Sequence, residues 1–368
     1  MTRRVLHVVS AMDRAGQEML IMNLYRNIDR SKIQFDFLCS WHKKGDFDDE
    51  IKELGGIIYH LPKARINLSH LSNISILFNY FKFFKSHKDY SIVHFHNYHS
   101  FSVLVQVLGA KLGGVKNIIV HSHNTNAPHP RIHKMVRPLL KSFKIFRFAC
   151  SEDAGKWMFG NREKRIRIIK NGIDPEEFTY SESNRNEIKR SLGLIDKKII
   201  LHVGRFNYQK NHAFLISVFE QIIKIIPNAH LLLVGRGELE EEIKNLVKNK
   251  NLTSSVSFLG VRNDIPALLS ASDLFLFPSI FEGLSVALIE SQASGIKILT
   301  TSNLSKETVY CDNVLKLSIQ DSPQKWASAA TELMKAYDHK DMRSIVKEAD
   351  FDIRNTAKNL SSFYTNLV

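Results

Sequence analysis

Cysteine is scarce in this 368-residue chain, which has three in all. Cys39, Cys150 and Cys311 lie far apart and form no CxxC pair, which argues against both a disulfide framework and a thiolate zinc site. Long apolar runs are missing too. No stretch approaches the roughly 18–20 residues that a membrane-spanning helix needs. The first apolar run, Val5-Leu-His-Val-Val9, is too short for the core of a signal peptide. There is no tandem repeat and no low-complexity tract. These absences leave a reduced, cytoplasmic, globular protein as the expectation, and the composition (44% hydrophobic, 24% charged) agrees with it. At this length two domains are expected rather than one.

Acidic residues are short in one half only. Residues 1–175 hold 28 Lys and Arg against 14 Asp and Glu, and the remainder holds 23 of each, so the whole net charge of +14 lies in the first half. Such asymmetry points to an anionic partner for that half. Two basic aromatic stretches, Leu77–Lys88 and Arg131–Arg147, belong to it. In the second, Lys134, Arg137, Lys141 and Lys144 recur at helical spacing with Leu140, Phe143 and Phe146 among them, which reads as an interfacial helix on anionic lipid. The plain alternative is a buried apolar face with a solvated basic one. No nucleic-acid recognition motif is present.

Short β-branched runs alternate with helical patterns in both halves. Val5–Val9, Phe35–Cys39, Ile57–His60, Ile92–His96, Ile118–His121 and Phe146–Cys150 read as strands of the first half. Ile199–Val203, His230–Val234, Val256–Leu259, Leu274–Pro278 and Lys297–Thr301 read as strands of the second. The alternation implies parallel sheets, hence two Rossmann-like, doubly wound α/β domains, 1–175 and 176–350, with a final amphipathic helix over 351–368.

The stretch Phe277-Pro-Ser-Ile-Phe-Glu-Gly-Leu-Ser-Val-Ala-Leu-Ile-Glu290 sets two carboxylates eight positions apart. If a helix opens at Gly283, Glu282 stands at its mouth and Glu290 about two turns in, offset by roughly 80°. A helix mouth also gathers anions. The plain alternative is a capping Glu followed by a solvent-facing one. Upstream, Val203-Gly-Arg-Phe-Asn-Tyr-Gln-Lys-Asn211 follows a strand. Gly204 lets backbone come close to a ligand, and Arg205 and Lys210 are suited to clamp a diphosphate, unless they are only surface charges in a polar loop. Gly235, in Val-Gly-Arg-Gly-Glu238, marks either a second ligand turn or a tight bend. Gly260-Val-Arg-Asn-Asp-Ile-Pro266 contains Arg262, and there Asp264 reads as a helix cap. In the first half, Gly16 lies in a loop between a strand and a helix. His121 and His123 alternate off a strand end, where a core role is the alternative. His94, His96 and His99 have metal-ligand spacing, but no carboxylate or Cys lies nearby, so no metal site is expected.

Taken in order, these motifs resemble the E-x7-E, GR…K and GxG elements of the retaining GT-B glycosyltransferases of family 4. The resemblance spans nearly the whole chain and is strongest from Leu201 to Thr301. It implies two facing Rossmann-like domains, the second binding a nucleotide sugar, expected to be a UDP-sugar, and the first an acceptor, with the last helix crossing back. By resemblance, Arg205 and Lys210 meet the diphosphate, Glu290 the ribose hydroxyls, and Glu282 the donor sugar. Main-chain N–H groups at Gly283, Leu284 and Ser285 meet phosphates or sugar, the Gly260–Pro266 segment with Arg262 meets the base, and Gly204, Gly235 and Gly16 allow close approach. His123 or His121 comes near the donor. No cofactor or metal is implied. Within the family the chain is similar to bacterial exopolysaccharide and capsule enzymes, which implies a glycan or polyprenyl-diphosphate acceptor at the inner face of the cell membrane. Two departures stand out: Ala15 where a second glycine is usual, and Thr301–Glu307 without glycines. The rival expectations are a sugar-nucleotide epimerase of the same fold and a non-catalytic partner that binds membrane or glycan.

Overall fold

The computed structural model describes residues 2–14, 16–62, 71–127, 129–282, 284–304, 306–335 and 339–367. The chain divides into two compact units, Met1–Gly172 with Asp352–Val368, and Ile173–Phe351.

Among the described residues the first unit is built on seven strands: β1 Arg3–Val9, β2 Ile33–Cys39, β3 Ile58–His60, β4 Ile92–His96, β5 Asn117–Ser122, β6 Phe146–Ala149 and β7 Ile166–Ile168. The second has six among its described residues: β8 Lys198–Val203, β9 Ala229–Val234, β10 Val256–Gly260, β11 Leu274–Phe277, β12 Ile298–Thr301 and β13 Val314–Leu317. The sheet orders are β3-β2-β1-β4-β5-β6-β7 and β10-β9-β8-β11-β12-β13, with every neighbouring pair parallel. Both sheets are thus doubly wound, as the alternation of strands and helices predicts. Burial on both faces explains the near-continuous apolar runs. In β1, Val5 and Val9 enter one core while Leu6 and Val8 enter the other; in β8, Ile199 and Leu201 face opposite to Ile200. This is the two-residue period of a strand covered on both sides.

Two short strands escaped the sequence reading, β7 and β13, the last of each sheet. Edge strands this short need little apolar sequence. The segment Arg131–Arg147 also departs from expectation. It forms a seven-residue helix, Pro130–Val136, then a 3-10 turn, Arg137–Ser142, and Phe146 opens β6, so no continuous interfacial helix exists there. Pro138 lacks the N–H that a continuing α-helix would use. No helix among the described residues is long and apolar enough to cross a membrane.

In each sheet the winding direction reverses once, between β1 and β4 and between β8 and β11. Loops leaving the carboxyl ends of strands that flank such a reversal diverge and open a crevice where ligands bind in this class of fold.

Candidate functional site

At the reversal of the second sheet, the loops after β8, β9 and β11 interlock. Gly235 has φ +138°, and a Cβ there would lie 2.1 Å from the Gly204 carbonyl oxygen. Only glycine tolerates both the angle and the contact. Gly204 is equally confined: a Cβ would sit 3.0 Å from His202 Nε2 and 3.1 Å from Lys210 Cδ. The Gly204 N–H donates to the Val234 carbonyl at 2.9 Å, and the Phe206 N–H to the Arg236 carbonyl at 3.1 Å. These loops therefore lie backbone to backbone, which fixes the base of the site.

Lys210 ends a 3-10 turn, Tyr208–Lys210, that Asn207 caps by accepting from the Lys210 N–H. Its Nζ donates to Glu282 Oε1 at 2.6 Å and lies 4.5 Å from the centroid of the Phe277 ring. The Lys210 and Glu282 side chains are 15% and 6% exposed, so the pair is largely withdrawn from water. Further bonds stitch the β8 and β11 loops together. The Ile280 N–H donates to the Gln209 carbonyl at 2.8 Å, and Asn211 Nδ2 to the Pro278 carbonyl at 3.2 Å. Arg205 behaves differently. Its side chain is 71% exposed and pairs loosely with Glu238 at 3.4 Å, which leaves it free to turn toward a ligand.

The carboxylate pair is not arranged as the sequence reading has it. The helix opens at Val286, not at Gly283, so Glu282 lies on the loop before it and forms an isolated parallel bridge with Leu304. Glu290 sits about one turn into the helix Val286–Ala293 rather than two. It is half-buried; its carbonyl accepts from the Ser294 N–H at 3.1 Å, but its carboxylate has no hydrogen-bond or ion-pair partner among the described residues. Burial first, and then the charge of Glu177, push its carboxyl up to about 8. Ser285 holds the N-cap position without a side-chain capping bond, and Leu284 is half-buried beside it. Gly283 lies outside the described residues. Arg262 forks onto Asp264 at 2.8 and 2.5 Å. Asp264 stands at the N-cap of Ile265–Ala271, yet its carboxylate serves Arg262 instead of capping.

In the first unit a pocket of about 520 Å³ opens at the β1/β4 reversal. Ser10, Glu18, His96, Asn97, His99 and Gln106 are among the residues that line it. Glu18 was not among the sequence candidates. Burial pushes its carboxyl up to about 7. Its only sequence signal is its place two residues beyond Gly16. Gly16 itself is exposed, and a Cβ there would meet nothing within 4 Å, so packing does not require glycine.

His121 and His123 are brought together, but in a larger group. His96 stands opposite His121 across β4 and β5, and His7 opposite His94 across β1 and β4. His121 is buried within β5, while His123, just past its end, is half-buried and bonded to His96 (His96 Nδ1 to His123 Nε2, 2.9 Å). Burial holds His7 and His123 at about 3, and holds His94, His96 and His121 well below the usual histidine range. All five are therefore neutral at ordinary pH. Among the described residues two trios, His7/His94/His96 and His96/His121/His123, bring one ring nitrogen each within 4.8 Å of one another. His99, grouped with His94 and His96 in the sequence, instead caps the helix Ser100–Leu112.

Residues 14–177 match the family model Glycosyltransferase Family 4, and residues 184–350 match Glycosyl transferases group 1. The chain is 36% identical over 336 residues to a Bacillus subtilis protein whose name, glycosyltransferase EpsF, specifies neither donor nor acceptor; the match covers 88% of this chain and 86% of that protein. It is 31% identical over 226 residues, 57% of each chain, to the UDP-Gal:alpha-D-GlcNAc-diphosphoundecaprenol alpha-1,3-galactosyltransferase of Escherichia coli. The fold superposes on Anabaena HepE in complex with UDP and glucose with a TM-score of 0.79 over 100% of both chains, at 17% identity. The chain belongs to the family 4 glycosyltransferases of GT-B fold.

Proposed function

We propose that this glycosyltransferase moves a sugar, with retention of anomeric configuration, from a UDP-sugar to a glycan carried on a polyprenyl diphosphate in bacterial surface-polysaccharide synthesis. The second unit takes the donor and the first the acceptor. The observation that carries this reading is the Lys210–Glu282 pair, sequestered at the reversal of the second sheet with the exposed Arg205 guanidinium on the same loop as Lys210.

As the glycosidic bond to phosphate breaks, negative charge grows on the leaving diphosphate. Lys210 supplies a fixed ammonium in a site of low dielectric, and Arg205 a planar fork that turns inward. Donors placed before reaction need no reorganisation at the moment of charge development, and losing one typically costs about 3–4 kcal/mol of barrier. Glu282 orients Lys210 and faces the donor sugar. No side chain serves as a nucleophile: the acceptor hydroxyl attacks the face that the diphosphate leaves, and the departing phosphate oxygen takes its proton. The two cations stand where a divalent ion would otherwise neutralise the diphosphate. Glu290 accepts the ribose hydroxyls, the backbone at 283–285 meets phosphates or sugar, and Arg262 borders the base. Gly16 leaves its loop open to a phosphate. Of the two strand-end histidines, His123 is assigned to the donor by the family resemblance, and His121 is buried within β5. The basic first unit docks on the anionic inner face of the membrane that holds the lipid-linked acceptor. The E. coli relative, which acts on a diphosphoundecaprenol-linked sugar, supports that choice of acceptor.

Thermal melting in the presence of UDP-, GDP- and ADP-sugars tests the donor assignment, since a ligand that binds only the folded state raises the melting temperature. A shift with one UDP-sugar is expected, lost in Arg205→Ala and Glu290→Ala. Folded protein that shifts with none of them would overturn the donor site. Hydrolysis or interconversion of the donor without acceptor would favour epimerase chemistry.

A further inference from the structure

The first unit contains a histidine cluster that sugar transfer does not use. His7, His94 and His96 project from the central strands β1 and β4 onto one face, and all three are buried. Their rings stack, with centroids 4.3 Å apart for His94 and His96, 5.1 Å for His7 and His94 and 5.2 Å for His7 and His96. The His7 Nδ1 to His96 Nε2 separation is 2.9 Å, while His7 Nε2 and His94 Nε2 are buried without any partner. A buried polar nitrogen left without a partner is costly, and an ion held by His94 Nε2 would supply the partner missing there.

We propose that His7, His94 and His96 form a site for one divalent first-row transition ion of the zinc class. The donor set consists of neutral imidazoles with no carboxylate, which selects Zn2+ and its neighbours over Mg2+ or Ca2+. One ring nitrogen of each residue lies within 4.8 Å of the others. A tetrahedral zinc at about 2.0–2.1 Å from each ligand requires neighbouring nitrogens about 3.3 Å apart. The His7 Nδ1–His96 Nε2 pair, at 2.9 Å, is inside that spacing, and the His94 ring would have to move toward it from within the 4.8 Å bound. Ligating histidines are usually held from behind through their second nitrogen. Here His94 Nδ1 is held at 2.6 Å by the Tyr364 hydroxyl of the C-terminal helix Ile353–Thr365. The ion would tie β1 to β4 and, through Tyr364, to that helix. His96 also lines the 520 Å³ pocket, which gives the ion a way in and leaves its fourth position to water. His96 is bonded to His123, which the proposed function gives to the donor, but the zinc titration does not read donor binding, so this inference and the donor assignment fail independently.

Zinc binding is measured on the full chain, stripped with a chelator and titrated with Zn2+ against a chromophoric competitor, with Co2+ as a spectroscopic substitute. One ion per chain, a zinc-dependent rise in melting temperature and the strong visible bands of tetrahedral Co2+ are expected. His7 sits against Phe35 and Phe37, so His7→Phe suits the same surroundings. It should fold without zinc and lose the zinc response, whereas the exposed His42→Ala should keep it. Tyr364→Phe should weaken zinc affinity about 10-fold or more, as loss of a supporting partner does elsewhere. Wild-type protein that binds no ion more tightly than His7→Phe would overturn the site. So would binding that survives His7→Phe but is lost in His123→Ala, because the ion would then belong to the other trio.

Discussion

Glu290 shows how a single carboxyl ties the protein's environment to ligand chemistry. Burial holds it at about 8, so at neutral pH most of the ligand-free protein has it protonated. Only the ionised form accepts two ribose hydroxyls. With Glu290 at the ribose as proposed, donor binding would release a proton, and affinity should rise with pH until the carboxyl is fully ionised. Below the pKa the slope approaches tenfold per pH unit, by the linkage of proton and ligand equilibria. Dissociation constants for UDP measured from about pH 6 to pH 9, a range that brackets this pKa, should follow that curve, and Glu290→Gln should flatten it. A wild-type affinity independent of pH would remove Glu290 from the ribose site. The raised pKa could not be read from sequence, because it arises from packing around the helix Val286–Ala293 and from Glu177, which lies 113 positions away.

Elements were legible where their periodicity was local. The final amphipathic helix buries Ile353, Ala357, Leu360 and Tyr364, a stripe visible in the sequence, and the central strands of both sheets announce themselves as apolar runs. What stayed hidden depends on distant partners. The helix expected at Gly283 begins at Val286 because the loop before it is committed elsewhere: Ile280 bonds to Gln209, and Glu282 bridges to Leu304. The histidine cluster draws on β1, β4 and β5, so His7 gave no signal beside His94 and His96. The clamp on the last helix is as remote. Arg3 donates from one nitrogen to the carbonyls of Tyr364, Thr365 and Leu367 at 2.6, 2.9 and 2.9 Å. Tyr364 and Thr365 belong to the last turn of the helix and Leu367 lies just past it, at the end where a cation is favoured. Arg3→Ala should cost about 1–2 kcal/mol. Hydrogen exchange should quicken in the helix Ile353–Thr365 while the core strands keep their protection. Unchanged exchange in that helix would mean that side-chain burial alone holds it to the sheet.

At the scale of the whole molecule, charge and exposed apolar surface occur together. The entire excess of +14 lies in residues 1–175. There, Met135 is 72% exposed and Leu139 52%, in a segment that also contains Arg131, Lys134, Lys141 and Lys144. A solvated basic face explains the lysines but not the methionine and leucine. An anionic bilayer accounts for both, since each basic residue near such a surface contributes about 1 kcal/mol and apolar side chains enter the headgroup boundary. The break into a short helix and a 3-10 turn changes the shape of this patch but not its chemistry. The protein should sediment with vesicles containing anionic lipid and remain free with neutral ones. Raising salt from about 0.1 M to 1 M shortens the screening length from about 10 Å to about 3 Å and should release most of it. Met135→Ser with Leu139→Ser should weaken vesicle binding and leave UDP binding, which is assigned to the other unit, unchanged. Equal binding to neutral and anionic vesicles would deny the basic half its membrane role and leave the acceptor's own phosphates as the anionic partner that its charge requires.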